Sequence, residues 1–181
     1  MKNGKKIILG VSGSIAAFKA ADIASLLSQQ GCDVTVIMTK EAEHFITPLT
    51  LQMLSANKVY RGMFEVADAW DVEHISLADS AGLILIAPTT ANVIAKLATG
   101  LCDDLLTCTV LASRAPVLLA PAMNDAMYQH KTTQANIERL KKIGYHFIGP
   151  VKGRLACGKV GLGRMSGVDD IVSAAKKFMA R

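Results

Sequence analysis

Four stretches of the chain and one histidine have residue types and spacings that can do chemistry. Gly10-Val11-Ser12-Gly13-Ser14 is a small-residue loop directly after an apolar run. Small side chains let a backbone approach an anion, and a helix starting there offers free N–H groups. The same residues also make a plain tight turn. Pro88-Thr89-Thr90-Ala91-Asn92 follows another apolar run. Its hydroxyls and amide suit phosphate or flavin contacts, or the capping of the next helix. In Pro121-Ala122-Met123-Asn124-Asp125-Ala126-Met127 the Asn124 amide can orient a carboxylate without adding charge, or cap a helix. Gly153 to Met165 is rich in glycine and base and carries one thiol, Cys157. A cysteine among Lys and Arg suits proton delivery or nucleophilic work, whereas a buried one is inert. His74, in Glu73-His74-Ile75-Ser76-Leu77, carries a proton near neutral pH, although a lone histidine serves equally as a structural residue.

Spacing excludes several other sites. Gly10, Gly13 and Ala16 depart from G-x-G-x-x-G, and Met38-Thr39-Lys40 lacks the acid that holds a ribose diol, which disfavours NAD and leaves a mononucleotide. No Gly-Lys-Ser/Thr follows, and Ser14 stands where a G-x-S-x-G elbow needs glycine. Cys32, Cys102, Cys108 and Cys157 have no C-x-x-C spacing and no histidine cluster beside them, so no metal site is expected. Free thiols of a cytoplasmic protein are the expectation.

The elements that hold these groups follow from hydrophobic period. Lys6 to Val11, Val34 to Met38, Leu83 to Ala87, Val117 to Ala120 and Tyr145 to Ile148 predict five strands. Their continuous apolar runs predict burial on both faces. Helical spacing covers Ile15 to Gln30, stopped by Gly31. Thr47 and Pro48 open another helix through Leu54. Further helices are predicted over Thr90 to Ala98, Leu105 to Ala112, Thr132 to Ile143 and Val168 to Met179. Asn57 to Ser80, with Trp70, reads as a loop with helical pieces, and Val151 to Gly167 as a flexible or tightly turned flap. The alternation predicts an α/β fold: a parallel sheet with helices on both faces, its ligands at the carboxyl ends of the strands.

With 181 residues, 51% apolar and 19% charged, the chain suits one core-forming domain over 1–181 rather than a disordered one. The net charge of +5 is scattered, and Arg139 to Lys142 reads as a solvated helix face, so no nucleic acid is expected. The lysine-rich start imitates a signal peptide, but its apolar run breaks at Gly10, and Leu83 to Ala87 is far short of a membrane span.

Taken together these segments resemble the homo-oligomeric flavin-containing cysteine decarboxylases over nearly the whole chain. Gly-Val-Ser-Gly-Ser-Ile-Ala-Ala at 10–17, His74-Ile75-x-Leu77, Pro121-Ala122-Met123-Asn124-x-x-Met127, and Ala156-Cys157-Gly158 with Gly161-x-Gly163-Arg164-Met165 carry the likeness. Tyr128 departs from it, where many members have tryptophan. The resemblance implies a Rossmann/flavodoxin-like three-layer fold, FMN as cofactor and phosphopantothenoylcysteine as substrate. Oxidation would give a thioaldehyde, loss of carbon dioxide an ene-thiol, and re-reduction 4'-phosphopantetheine, for coenzyme A synthesis. It implies His74 as base, Asn124 as the amide holding the substrate carboxylate, and Cys157 as proton donor in the last reduction. Ser12, Gly13, Ser14, Thr39, Thr89, Thr90, Asn92 and Met123 are the implied FMN contacts, Met123 doubling as a packing residue. Lys152, Arg154, Lys159 and Arg164 are candidates for the substrate phosphate. A homotrimer or dodecamer with FMN at the subunit interface is implied, with Cys102-Asp103-Asp104-Leu105 reaching a neighbour's site. So is a phosphopantothenoylcysteine synthetase, separate or fused. Related decarboxylases of peptidyl cysteine, flavin prenyltransferases and phosphatase-binding subunits are the alternatives. The Cys157 segment argues against the first, that segment with Pro121 to Asn124 against the second, and the lack of an acidic tail in this sequence against the third.

Overall fold

The computed structural model of the chain describes residues 6–63 and 73–179. Trp70 lies outside the described residues. Strands β1 (Lys6–Val11), β2 (Asp33–Met38), β3 (Val59–Tyr60), β4 (Leu83–Thr89), β5 (Val117–Pro121) and β6 (His146–Phe147) form one parallel sheet in the order β3-β2-β1-β4-β5-β6. The continuous apolar runs are buried on both faces, as parallel packing requires. Ile7, Leu9 and Val11 of β1 point to one layer and Ile8 to the other, and β2 and β4 alternate likewise. One layer is covered by α1 (Lys19–Gln29), α2 (Pro48–Ser55) and α8 (Val168–Met179). The other is covered by α3 (Glu73–Ser80), α4 (Ala91–Thr99), α5 (Leu105–Ala112) and α7 (Lys131–Lys142).

Three expectations are corrected. The sheet has six strands, not five, because the two-residue β3 sits inside the segment read as loop and helix. The first helix opens as a 3-10 turn over Ile15–Phe18 before α1 begins. The glycine-rich segment is an antiparallel hairpin, β7 (Val151–Arg154) with β8 (Val160–Arg164), that forms a sheet of its own. Among the described residues, no helix is long and apolar enough to cross a membrane.

The chain builds outward from β1 through β2 to β3, then returns to place β4 on the other side of β1. The loops after β1 and β4 therefore part at the sheet's centre, which is where open α/β sheets form a ligand crevice.

Candidate functional site

Ser12 ties that crevice together. It is buried, its hydroxyl donates to the Pro88 carbonyl at 2.7 Å, and it accepts the Thr90 N–H at 3.1 Å. The loops after β1 and β4 are thus one frame. Thr90 caps α4 by accepting the Val93 N–H at 3.3 Å, so the helix start faces the crevice. Beside it Thr39, at the end of β2, is buried, and among the described residues its hydroxyl finds no hydrogen-bond partner. A buried hydroxyl without a partner costs free energy that a polar ligand would recover. Ser12, Gly13, Thr39, Thr90, Asn92 and Met123 all line this cavity, of about 320 Å³.

Two predicted contacts stand apart. Thr89 is fully buried, with its hydroxyl donated to the Ile86 carbonyl at 2.6 Å. Ser14 caps the 3-10 turn by accepting the Ala16 N–H at 3.3 Å. Neither is on a wall of the two main cavities.

The second cavity, of about 680 Å³, brings Asn124 and Cys157 together. Asn124 is the N-cap of α6 (Asp125–Gln129): its Oδ1 accepts the Ala126 N–H at 2.9 Å. The capping and the functional readings of this residue are therefore compatible. The oxygen is committed to the helix, which leaves the amino end of the amide to face Cys157, with Nδ2 3.8 Å from Sγ. A carboxylate entering there meets a donor of fixed orientation.

The hairpin that carries Cys157 is docked on this same loop. The Met123 N–H donates to the Gly163 carbonyl at 3.0 Å, and the Leu162 N–H donates to Asp125 Oδ1 at 3.0 Å. Gly163 lies so close that a Cβ there would overlap the Met123 carbonyl oxygen. At the tip the Leu155 N–H donates to the Lys159 carbonyl at 2.8 Å, and Gly158 turns the chain at φ +84°. The flap is thus a tightly turned hairpin with an anchored base. It also brings Arg154 and Arg164 to the cavity, opposite Lys19 of α1. Burial first, then the Arg164 charge, pushes the Lys19 ammonium below the usual lysine range. Sequence reasoning missed Lys19, which looks like any helix lysine. The available signal was its position one turn beyond the small-residue loop.

Asp104, the N-cap of α5, lines the smaller cavity. It accepts the Thr107 N–H at 2.8 Å and meets the Lys96 ammonium at 2.9 Å, while Asp103 meets the same ammonium at 2.6 Å. Burial alone would raise the Asp104 carboxyl, but Lys96 and Thr107 outweigh it and hold it below the usual range. Nearby, the Cys108 thiol donates to the Cys102 carbonyl at 3.1 Å. Burial, then Cys102 and the two carboxylates, push that thiol up to about 11, which keeps it protonated. His74 is half-buried in the first turn of α3 and lies on the wall of neither main cavity.

The Flavoprotein family model matches residues 1–180. The coenzyme A biosynthesis bifunctional protein CoaBC of Bacillus subtilis is 49% identical over 180 residues, which are 99% of this chain and 44% of that protein. The chain thus spans less than half the length of this bifunctional relative. A probable phosphopantothenoylcysteine decarboxylase of Streptococcus mutans is 48% identical over 170 residues, 93% of this chain and 95% of the relative. Among solved structures, a PPC decarboxylase mutant complexed with pantothenoylaminoethenethiol superposes with a TM-score of 0.87 at 31% identity, covering 99% of this chain and 100% of that one. The FMN binding protein AtHal3 gives 0.84 at 32% identity, with 98% of each chain covered.

Proposed function

The chain belongs to the flavoprotein family, and within it we propose that it decarboxylates phosphopantothenoylcysteine to 4'-phosphopantetheine with FMN as cofactor. The observation that carries this reading is the pairing of the Asn124 amide with the Cys157 thiol at 3.8 Å, in a cavity that shares Met123 as a wall with the smaller one. The residues of the smaller cavity fit FMN. Thr39 offers an unpartnered buried hydroxyl, Thr90 the start of α4, and Met123 an apolar flank. FMN, when bound, would take two electrons from the cysteine side chain, which makes loss of the carboxylate easy, and would return them after carbon dioxide has left.

The rest is the chain's own work. The Asn124 amino group donates to the substrate carboxylate and holds it in place until carbon dioxide leaves. The Cys157 Sγ–H stands beside the same point and delivers the proton that completes the thiol product. His74 takes the proton released when the substrate is oxidised. It lies on neither cavity's wall within one chain, so we place the complete site between subunits, in a homotrimer or in trimers stacked as a dodecamer. Ile15 at 57% and Phe18 at 54% exposure, both on the rim of the larger cavity, support a covering neighbour. A synthetase that makes the substrate belongs beside it, as the bifunctional relatives suggest, and the cytoplasm is its proposed location.

The test is direct. Purified protein should be yellow and should release FMN near one per chain on heating. It should then liberate carbon dioxide from phosphopantothenoylcysteine and yield the saturated thiol. An ene-thiol product two hydrogens poorer would favour the peptidyl-cysteine type of reaction. A colourless protein that also fails to bind added FMN would refute the redox reading.

A further inference from the structure

The larger cavity holds more positive charge than a carboxylate requires. Lys19 comes from α1 and Arg154 and Arg164 from the two strands of the hairpin, and all three are on its wall. The described ion pairs use none of them. Lys19 feels Arg164 more strongly than the opposing charge of Asp22. Gly153 makes room for this arrangement: a Cβ there would come to 3.0 Å from Arg164 Cδ and 3.3 Å from its Nη1. The guanidinium stem therefore lies across the β7 backbone. Arg154 and Arg164 are exposed and Lys19 is half-buried, so three cations converge on one accessible wall, which draws a polyanion to it. Lys152 and Lys159, the other two candidates, are not on the wall.

We infer that Lys19, Arg154 and Arg164 seat a phosphate monoester, and that it is the phosphate of the substrate. The inference rests on the reading proposed above. A dianionic monoester presents three acceptor oxygens, which suits cations reaching it from separate elements. The cofactor carries the same chemical group, so two sources must be told apart. The substrate is favoured because the cations share a cavity with Asn124 and Cys157, whereas among the described residues the cavity of Thr39 and Thr90 has Glu41 and Asp104 but no Lys or Arg on its wall. Asn124 then holds the reacting carboxylate and the cations hold the far end of the same molecule.

The experiment compares phosphopantothenoylcysteine with its dephosphorylated form on the FMN-loaded protein. The wild type should prefer the phosphorylated substrate in kcat/KM. Lys19→Met and Arg164→Met should each shrink that preference roughly 10- to 100-fold, mainly through KM. Lys19→Arg, which keeps the charge, should restore most of it and so control for misfolding. An unchanged preference overturns the inference. Variants that lose FMN, or that bind riboflavin as well as FMN, assign the cations to the cofactor and overturn it too. Calorimetric titration of the holoprotein with 4'-phosphopantothenate and pantothenate reads the same seat without turnover. Discrimination that is lost in Lys19→Met upholds the seat even if the wild type decarboxylates neither substrate, in which case the proposed function alone has failed. No discrimination in the wild type overturns the seat.

Discussion

Gly163→Ala tests whether the hairpin is positioned by its docking. The added methyl meets the Met123 carbonyl oxygen, and the Met123 N–H to Gly163 carbonyl bond at 3.0 Å is the contact that must open to admit it. Overpacking costs about 1–3 kcal/mol and a lost hydrogen bond about 0.5–1.5 kcal/mol, so undocking is favoured by about 1.5–4.5 kcal/mol. At 1.4 kcal/mol per tenfold that is roughly a 10- to 1,600-fold shift in the docking equilibrium. The main sheet is unaffected, because β7 and β8 form a separate sheet. Hydrogen exchange reads the shift directly at two amides. The Met123 N–H is bound only across the interface to Gly163, and the Leu162 N–H donates to Asp125. Both should exchange faster by that factor, while amides of β1 and β4 keep their protection. Turnover should fall as Cys157 leaves Asn124. Wild-type exchange at both amides with wild-type turnover would refute the docking argument.

Three further outcomes are expected. Asn124→Asp should melt within a degree or so of the wild type, since aspartate caps a helix as well as asparagine. It should nevertheless lose roughly 100-fold or more in carbon dioxide release, because a carboxylate replaces the donor facing the substrate. Ser12→Ala leaves the Thr90 N–H without its acceptor and should cost about 1–3 kcal/mol in denaturant unfolding, with weaker FMN binding. The Asp104 carboxyl is depressed in the folded chain, so its contribution is present above the unfolded value of about 3.9 and is lost as pH falls below it. Melting temperatures taken through that acid range should drop less steeply in Lys96→Met; an equal slope would show that Lys96 does not set the Asp104 charge.

The layered sheet was legible because parallel strands covered on both faces must be apolar throughout, and Leu83 to Ala87 shows this plainly. β3 and β6 escaped or blurred because two residues, Val59–Tyr60 or His146–Phe147, are too few to set a period. The hairpin was read as a flap because Val-Lys-Gly-Arg and Val-Gly-Leu-Gly-Arg bury little apolar surface. Its order comes from Asp125 and from close approach at Gly163, which are tertiary facts. The candidate residues at strand ends were picked out by position, but their hydrogen bonding divides on folding. Ser12 and Thr89 spend their hydroxyls on carbonyls of the β4 segment, and among the described residues Thr39 pairs its hydroxyl with none. No local spacing distinguishes these cases. Lys19 was hidden for the same reason, since only the tertiary fold puts it on one cavity wall with the hairpin.

Met123 is a wall of both cavities. An unbranched thioether adjusts its shape easily, so an occupant on one side sets the contour offered to the other. The two binding equilibria are therefore linked through a single side chain. Linkage is reciprocal: whatever factor the cofactor contributes to substrate affinity, the substrate returns to cofactor retention.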